Sequence, residues 1–274
     1  MADLLRVESL CKTFPNGGAP WNRRSVMALD GVTLGVARGQ TLGLVGESGS
    51  GKSTLGRCIL GLTPPDSGQV IFDGRVVQGL KGRALAEFRR RVQPVFQDPY
   101  GSLDPRWPVG RSVREALDCF GIGVPADRDH RVRDLFDRVG LDPAFAGRLP
   151  SALSGGQRQR VAIAAALASE PDLIIADEPV SALDMSVQAQ ILNLFMDLQN
   201  DLHMTCVFIT HDLGVVEHVS DDVAVLYQGQ LVEIGPTDRI MHRPGHDYTK
   251  RLLAAIPAIP RPFSDGDTHA QRPD

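Results

Sequence analysis

The sequence predicts an α/β protein with a mostly parallel sheet and a helical subdomain. Three observations predict this class. Short apolar runs bounded by glycine and aspartate recur along the chain, as expected for strands that are covered on both faces. Stretches with helical spacing of apolar residues separate these runs. From about Asp104 to Leu149 the spacing stays helical, as in SVREALDCF and DHRVRDLFDRVGL, and no strand pattern interrupts it.

The predicted strands are continuous apolar runs between polar or glycine residues. Because such runs are typical of strands buried on both faces, we expect them to form a largely parallel sheet with helices on each side. In chain order they are TLGLVG (41–46), QVIFDG (69–74), VQPVFQ (92–97), DLIIAD (172–177), TCVFIT (205–210) and VAVLYQG (223–229).

Three further segments have recognisable patterns. PNGGAPWNRRS (15–25) is rich in Pro, Gly and Asn, which predicts a loop between two strands. KGRALAEFRRR (81–91) is basic, but its helical spacing before a strand favours a solvated helix face over a nucleic-acid patch. Farther along, apolar residues at helical spacing indicate core packing, and they are Leu192, Leu194, Phe195 and Leu198.

These patterns suggest one domain followed by a tail. We predict a domain over residues 1–256, with the helical subdomain inserted at about 104–155. The last 18 residues (257–274) contain four prolines among polar residues, which predicts a flexible C-terminal tail. The sequence contains no internal repeat, so we expect each kind of site to occur once per chain.

The composition excludes several classes of protein. With 42% hydrophobic and 23% charged residues over 274 positions, the chain has the make-up of a globular protein with a sizeable core. A net charge of −4 provides no overall positive field, which argues against nucleic acid as a partner. No apolar run approaches the roughly 18 residues of a membrane span, and MADLLRVESL lacks the regions of a signal peptide. We therefore expect a chain that neither crosses a membrane nor leaves the cytosol on its own.

Neither the cysteines nor the C-terminal histidines have the spacing of a metal or disulfide site. The cysteines form no CxxC pair, which favours reduced structural thiols, and they are Cys11, Cys58, Cys119 and Cys206. The histidines are loosely spaced and are interpreted as solvated or structural, and they are His242, His246 and His269.

A phosphate-binding motif follows the run TLGLVG. GESGSGKST (46–54) matches G-x-x-x-x-G-K-[ST] and leads into a helix-like stretch. Its glycines let the backbone turn tightly so that successive N–H groups point inward, and the next helix adds the positive end of its dipole. Lys52 is suited to the β and γ phosphates of a nucleotide, and Ser53 to Mg²⁺. The predicted nucleotide-binding residues of this loop are Gly46, Glu47, Ser48, Gly49, Ser50, Gly51, Lys52, Ser53 and Thr54.

Two neighbouring acids end a later apolar strand, LIIADE (173–178). Paired carboxylates have no packing use there, so we assign them to chemistry. Asp177 would complete a Mg²⁺ shell, and Glu178 would orient or deprotonate the water that attacks a γ phosphate. His211 ends the next strand, and parallel topology places the carboxyl ends of neighbouring strands beside the ligand. We therefore predict Glu178 and His211 as catalytic residues.

At LSGGQ (Leu153–Gln157) the chain comes to resemble the ATP-binding subunits of ABC transporters. A P-loop also occurs in kinases, GTPases and helicases, whereas LSGGQ between the P-loop and the acidic strand is highly specific. Ser154 and the following glycine backbone would form a second anion-binding nest at a helix start. The resemblance implies a P-loop NTPase core with an antiparallel N-terminal β part. It also implies a head-to-tail dimer around two ATP, in which the opposite subunit's γ phosphate is bound by Ser154, Gly155, Gly156 and Gln157.

Further family elements occur in the family's order. Gln97, in VFQDP, resembles the Q-loop glutamine, which implies roles in catalysis, at Mg²⁺ and as a hinge to the helical subdomain. Phe14, in CKTFP, aligns with the aromatic residue that stacks on adenine, where Tyr is commoner. SALD resembles the D-loop, which touches the opposite subunit, and its residues are Ser181, Ala182, Leu183 and Asp184. The implied cofactors are ATP and Mg²⁺, with Ser53, Gln97 and Asp177 at the metal.

Two segments are similar to the peptide/nickel importer branch of the family: FQDPYGSLDPR (96–106) and RPGHDYTKRLLAAIP (243–257). This implies an ATP-hydrolysing subunit, peripheral at the cytoplasmic face of the membrane, that powers import of peptides through integral membrane permease subunits. An extracytoplasmic solute-binding protein would deliver the solute. The second ATPase subunit would be a paralogue or a copy of this chain. An iron–sulfur centre, present near the C-terminus of some relatives, is excluded because Cys206 is the last cysteine.

Several alternatives are consistent with parts of the pattern. Phosphonate-degrading complexes have similar ATPase subunits without a permease, and the solute of an importer would also fit nickel, glutathione-like compounds or other small solutes. DNA-repair and translation relatives carry a long coiled-coil insertion or two ATPase units, which 274 residues do not contain. A non-hydrolysing regulator is disfavoured by the intact Lys52, Asp177, Glu178 and His211.

Overall fold

The described part of the chain contains both strands and helices. The structure is a computed structural model and describes residues 3–16 and 24–255. The strands are β1 (Asp3–Asn16), β2 (Arg24–Ala37), β3 (Thr41–Val45), β4 (Ser67–Phe72), β5 (Arg75–Val76), β6 (Val92–Val95), β7 (Leu173–Asp177), β8 (Thr205–Ile209), β9 (Asp222–Tyr227) and β10 (Gln230–Pro236). The helices are α1 (Lys52–Ile59), α2 (Gly82–Arg91), α3 (Pro99–Ser102), α4 (Val109–Cys119), α5 (Arg128–Arg138), α6 (Gly155–Leu167), α7 (Met185–Leu202), α8 (Leu213–Val219), α9 (Thr237–His242) and α10 (Asp247–Ala254).

A mostly parallel sheet lies at the centre, in the order β10-β9-β3-β8-β7-β6. Its strands are parallel except β10, which pairs antiparallel with β9. In β7, Ile174 belongs to the apolar cluster that contains Ile191 of α7, and Ile175 to the cluster that contains Leu55 of α1. Apolar neighbours on both faces account for the continuous apolar runs in the sequence. The predicted mostly parallel sheet is confirmed.

A second, antiparallel sheet has the order β2-β1-β4-β5. The run QVIFDG (69–74), which the sequence assigned to the largely parallel sheet, contributes β4 instead, with Phe72 opposite Leu5 of β1. That assignment was wrong because an apolar run predicts a strand but does not indicate which strand it pairs with. Val70 and Phe72 are buried and Ile71 between them is half-buried, an alternation typical of antiparallel strands.

The predicted loop over residues 15–25 is shorter than expected at both ends. Pro15 of β1 pairs with Ser25 of β2, so the strands extend into the loop composition. Residues 17–23 lie outside the described part of the chain, as does the predicted tail over 257–274 with His269.

Helices and short turns fill the chain between β6 and α6, and the described residues from 96 to 154 contain no strand. The turns are 3-10 segments at Pro125–Asp127, Pro143–Gly147 and Pro150–Ala152. Buried side chains of α4, α5 and α6 form one cluster that includes Val113, Leu117, Phe136 and Val161. The exact limits of a subdomain at about 104–155 within a domain of 1–256 stay predictions.

The structure confirms two interpretations of side-chain patterns and corrects one. Of the residues of α2, only Phe88 is buried, so the basic segment is a solvated helix face. The apolar stripe of α7 is core, with Leu192, Leu194, Phe195 and Leu198 all buried. All four cysteines are free, as predicted. Cys119 is exposed, however, so the prediction that all four are structural is wrong for this residue. Across residues 3–16 and 24–255, no helix has both the length and the apolar content needed to cross a membrane.

Candidate nucleotide-binding site

The loop between β3 and α1 depends on glycines at two close approaches. Gly46 has φ +151°, and a Cβ there would lie 2.1 Å from the carbonyl oxygen of Leu226. Gly51 has φ +106°, and a Cβ there would lie 2.3 Å from the carbonyl oxygen of Ala28. Neither backbone conformation nor space permits a side chain at these positions. At Gly49 the positive φ of +80° alone favours glycine, since the space around it is open.

Lys52 and the start of α1 give the loop its positive character. The Lys52 side chain is buried, and Nζ donates to the carbonyl oxygens of Gly46 at 2.7 Å and Glu47 at 2.9 Å. Burial lowers the pKa of Lys52, against the opposing charges of Glu178 and Asp177. Helix α1 has no side-chain cap and no acid in its first turn. Its N-terminal N–H groups and dipole therefore suit an anion.

Two oxygen ligands of the kind that Mg²⁺ prefers meet beside this loop. The Ser53 hydroxyl donates to Asp177 Oδ1 at 3.1 Å. Burial raises the pKa of Asp177 and the Glu178 charge adds to the shift, while the hydrogen bond from Ser53 opposes it. The described residues contain no group of three or more His, Cys, Asp or Glu side chains that could hold a metal. Ser53 and Asp177 thus fit a Mg²⁺ whose shell is completed by phosphate oxygens and water.

Glu178 has a strained backbone at the edge of the sheet. Its φ is +48°, in the left-handed region, and its N–H donates to the carbonyl oxygen of Ile209 at 2.9 Å. The carboxylate is mostly shielded from solvent, and Oε1 lies 3.2 Å from His211 Nδ1. Non-glycine residues persist in such conformations where the surrounding structure holds them, often at functional sites. The structure thus brings Glu178 and His211 together, as the sequence predicts for strand ends.

The register of the parallel strands explains why these residues converge. Asp177 is level with Ile209, and Leu44 of β3 is also level with Ile209, so the three strands end at one edge. Val95 is level with Ala176, which places Gln97, two residues farther on, at the same edge. The Gln97 side chain is exposed. Its roles at Mg²⁺ and as a hinge stay predictions.

Phe14 lies on β1, next to the strand β2 that approaches the loop. It pairs with Val26, two residues before the Ala28 carbonyl that approaches Gly51. Its ring is 41% exposed, with Lys12 Nζ 5.5 Å from the ring centre. An exposed ring is available for stacking, and the adenine contact stays a prediction.

LSGGQ begins α6 with a reciprocal cap. The Ser154 hydroxyl accepts the N–H of Gln157 at 3.3 Å, and Gln157 Oε1 accepts the N–H of Ser154 at 2.9 Å. This is a capping box, and the spacing S-x-x-Q would have revealed it in the sequence. The Ser154 oxygen that accepts from Gln157 can still donate its own proton to an anion. Ser154 lines a cavity with Gln157, Arg160 and Val187, and the lining of that cavity includes no residue of the P-loop (46–54).

The D-loop segment connects the acidic strand to LSGGQ. The Ser181 hydroxyl donates to the carbonyl oxygen of Glu178 at 3.1 Å. A Cβ at Gly155 would lie 3.3 Å from Leu183, so the segment packs closely against the start of α6. Asp184 occupies the N-cap position of α7 without a side-chain cap bond.

The sequence did not indicate the backbone groups that approach the P-loop. These groups are the carbonyls of Ala28 and Leu226, and a carbonyl is present in every residue, so no residue type marks their position.

Comparisons with known proteins agree with this geometry. The family model described as ABC transporter matches residues 29–181. A protein of Brucella ovis named as a peptide import ATP-binding protein is 47% identical over 98% of this chain and 82% of its own length. The glutathione import ATP-binding protein GsiA of Pectobacterium atrosepticum is 49% identical over 93% of this chain and 41% of its own length.

Two solved structures have the same fold. The protein cbiO1 of Clostridium perfringens, part of the ABC transporter complex cbiONQ, has a TM-score of 0.74 at 29% identity, over 87% of this chain and 90% of that chain. The dimeric ATP-binding cassette MJ0796, bound to ADP and Pi in a post-hydrolysis state, has a TM-score of 0.75 at 30% identity. The match covers 85% of this chain and 98% of that one.

Proposed function

This chain belongs to the ABC transporter family of ATP-binding proteins, and from this premise we propose that it is the ATPase subunit of a peptide importer. Relatives named for import of peptides and of glutathione, itself a small peptide, support this solute class. The same relatives favour import over the phosphonate-degradation and nickel alternatives. The high coverage of the Brucella protein supports a correspondence of whole subunits.

The observation that carries the proposal is the set of groups around the P-loop. Lys52 and the uncapped N-terminus of α1 would bind the β and γ phosphates, and Ser53 and Asp177 would hold Mg²⁺. Bound Mg²⁺ would neutralise phosphate charge. Glu178 would accept a proton from the attacking water or orient it, and His211, 3.2 Å away, would fix the direction of that carboxylate.

The second anion site supports a function that requires two subunits. Ser154 caps α6 and lines a cavity that includes no P-loop residue, and it would bind the γ phosphate held by another subunit together with the N-terminus of α6. The dimeric cassette among the solved relatives supports such an assembly. The second subunit would be a copy of this chain or a paralogue, with the D-loop residues Ser181 to Asp184 at the interface.

A groove beside β6 suits contact with the permease. It has a volume of about 480 Å³ and lies between β6, α4 and α6, with apolar residues such as Leu103, Ala116 and Phe120 in its lining. Gln97 follows directly after Phe96, another lining residue. We place a cytoplasmic segment of the membrane permease here, which puts the chain peripherally at the cytoplasmic face of the membrane. An extracytoplasmic binding protein would act through the permease.

Uptake of labelled peptide by cells that lack this chain tests both the solute and the chemistry. We expect the wild-type chain to restore uptake and Glu178→Gln to leave it at the level of the deletion, because the amide cannot take a proton from water. Glu217→Gln, a change at a half-exposed position of α8, should restore uptake fully. Normal peptide uptake in the deletion strain together with loss of nickel uptake would contradict the assignment of peptides as the solute. Rescue by Glu178→Gln would contradict the catalytic role of Glu178.

A further inference from the structure

The P-loop is held by a contact from the far end of the chain. The backbone N–H of Glu47 donates to the hydroxyl of Tyr248 at 3.0 Å, across 201 residues of sequence. Tyr248 is the second residue of α10. Glu47 is exposed and Tyr248 is buried, so the hydrogen bond connects a solvent-exposed residue of the loop to the core.

Glu47 also orients the lysine of the loop. Its carbonyl oxygen accepts Lys52 Nζ at 2.9 Å and the N–H of Ser50 at 3.2 Å. The Tyr248 hydroxyl, the Glu47 backbone and the Lys52 ammonium therefore form a continuous series of polar contacts. A displacement of Glu47 would move the oxygen that positions the Lys52 ammonium.

Tyr248 has little freedom to move. It is 2% exposed and belongs to an apolar cluster with Val45 and Val223. Its ring packs on Tyr227, with ring centres 4.1 Å apart and an interplanar angle of 32°. Burial raises the pKa of the Tyr248 hydroxyl, so the group stays neutral and accepts the N–H bond as an uncharged oxygen.

A buried carboxylate fixes the start of α10. The N–H groups of Gly245 and His246 donate to the two oxygens of Glu233 at 2.7 and 3.1 Å. His246 Nδ1 in turn accepts the N–H of Tyr248 at 3.1 Å. Burial opposes ionisation of Glu233, but the polar groups around it, including the N–H groups of Gly245 and His246, outweigh burial and lower the pKa of the carboxyl. The charged Glu233 therefore holds α10, and with it Tyr248, in register with the loop.

We propose that Tyr248 is a positioning residue of the nucleotide site: its hydroxyl holds Glu47 so that Lys52 and the loop N–H groups match the nucleotide phosphates. The inference rests on the proposed nucleotide function of the P-loop. It assigns the C-terminal helix α10 a direct effect on nucleotide affinity. The ring of Tyr248 packs in the apolar core, and its hydroxyl accepts the hydrogen bond from Glu47.

Tyr248→Phe separates these two roles, because it removes the hydroxyl and keeps the ring. In an equilibrium titration with Mg-ATP we expect its Kd to rise about two- to tenfold, the equivalent of one net hydrogen bond. Tyr227→Phe is the matched control, since it removes the hydroxyl of the other ring, which contacts Gln228. Its Kd should stay within about twofold of the wild type, below the change expected for a lost hydrogen bond.

Amide hydrogen exchange provides a second readout that global stability does not move. In Tyr248→Phe the amide of Glu47 should exchange roughly tenfold faster than in the wild type, whereas amides of β9 should be unchanged. Because both sets of amides are measured in one sample, a general loss of stability, which would speed exchange in β9 as well, is distinguished from release of the loop alone. Wild-type affinity and wild-type exchange in Tyr248→Phe would overturn the inference and leave the proposed function intact. Failure of the wild-type chain to bind Mg-ATP would overturn both.

Discussion

Asp177 is a carboxylate held partly out of water at the end of β7. Burial raises its pKa above the ordinary aspartate value, so the folded chain binds this proton more tightly than the unfolded chain does. The contribution of Asp177 to stability therefore falls as the pH rises from about 4, the ordinary value, through the raised value in the fold. Above that range the ionised side chain lowers the free energy of unfolding.

We expect Asp177→Asn to raise the stability of the nucleotide-free chain at pH 7 by about 0.5–2 kcal/mol, the usual range for a single stabilising substitution. The asparagine oxygen can still accept the hydrogen bond from Ser53 but carries no charge. Urea unfolding at pH 7 and pH 4 checks this, and the advantage of the variant should shrink at pH 4. Asp201→Asn, at an exposed position of α7, is the control. A variant less stable than the wild type at pH 7 would contradict the assignment.

The residues that we assign to chemistry could be proposed from sequence, because the loop with its lysine and the acid pair each follow an apolar strand. The groups that hold them could not. Gly51 is required by the approach of the Ala28 carbonyl, and every residue has a carbonyl. Tyr248 contacts Glu47 over 201 residues, and no local pattern indicates such a contact.

The packing of α6 on α7 depends on one glycine. A Cβ at Gly156 would lie 2.4 Å from Val187 Cγ1. These helices follow LSGGQ and the D-loop respectively, so their spacing sets the relative position of two segments that we assign to the dimer interface. A side chain at Gly156 would separate them.

Gly156→Ala should therefore lower the free energy of unfolding by about 1–3 kcal/mol, the usual cost of overpacking. Val187→Ala in the same chain should recover part of this loss by removing the methyl group in conflict. Gly147→Ala is the matched control, since no atom lies within 4 Å of its Cβ position. Urea unfolding of the variants measures the effect. An equal loss in Gly147→Ala, or no recovery in the double variant, would show that the contact does not limit packing.

At the scale of elements, the parallel strands could be predicted because burial on both faces leaves continuous apolar runs. The same reasoning misplaced QVIFDG, since β4 is also apolar but pairs with β1 in the antiparallel sheet. The strand ends at Pro15 and Ser25 were missed because cross-strand pairing extended them into a loop-like composition. The capping box of α6 was visible in S-x-x-Q, a local pattern that needs no tertiary information.

For the whole molecule, the family and fold class predicted from sequence are confirmed by the ABC transporter match over residues 29–181 and by the solved cassettes. The assembly could not be read from one chain, because the proposed composite site would lie between two chains. One chain shows a P-loop with Ser53 and Asp177 at one place and Ser154 at another. The central claim is that a second subunit brings these two halves together around ATP.

Sedimentation of Glu178→Gln with Mg-ATP tests this claim most directly. Because hydrolysis is blocked, we expect the closed dimer to accumulate, with twice the 29.7 kDa of one chain. Adding Ser154→Trp should return the protein to a monomer that still binds ATP with the affinity of Glu178→Gln, since the altered residue would act on the opposite subunit's nucleotide. An undiminished dimer with Ser154→Trp would contradict the account of the composite site. A monomer in both variants despite bound ATP would contradict a dimer of two copies of this chain.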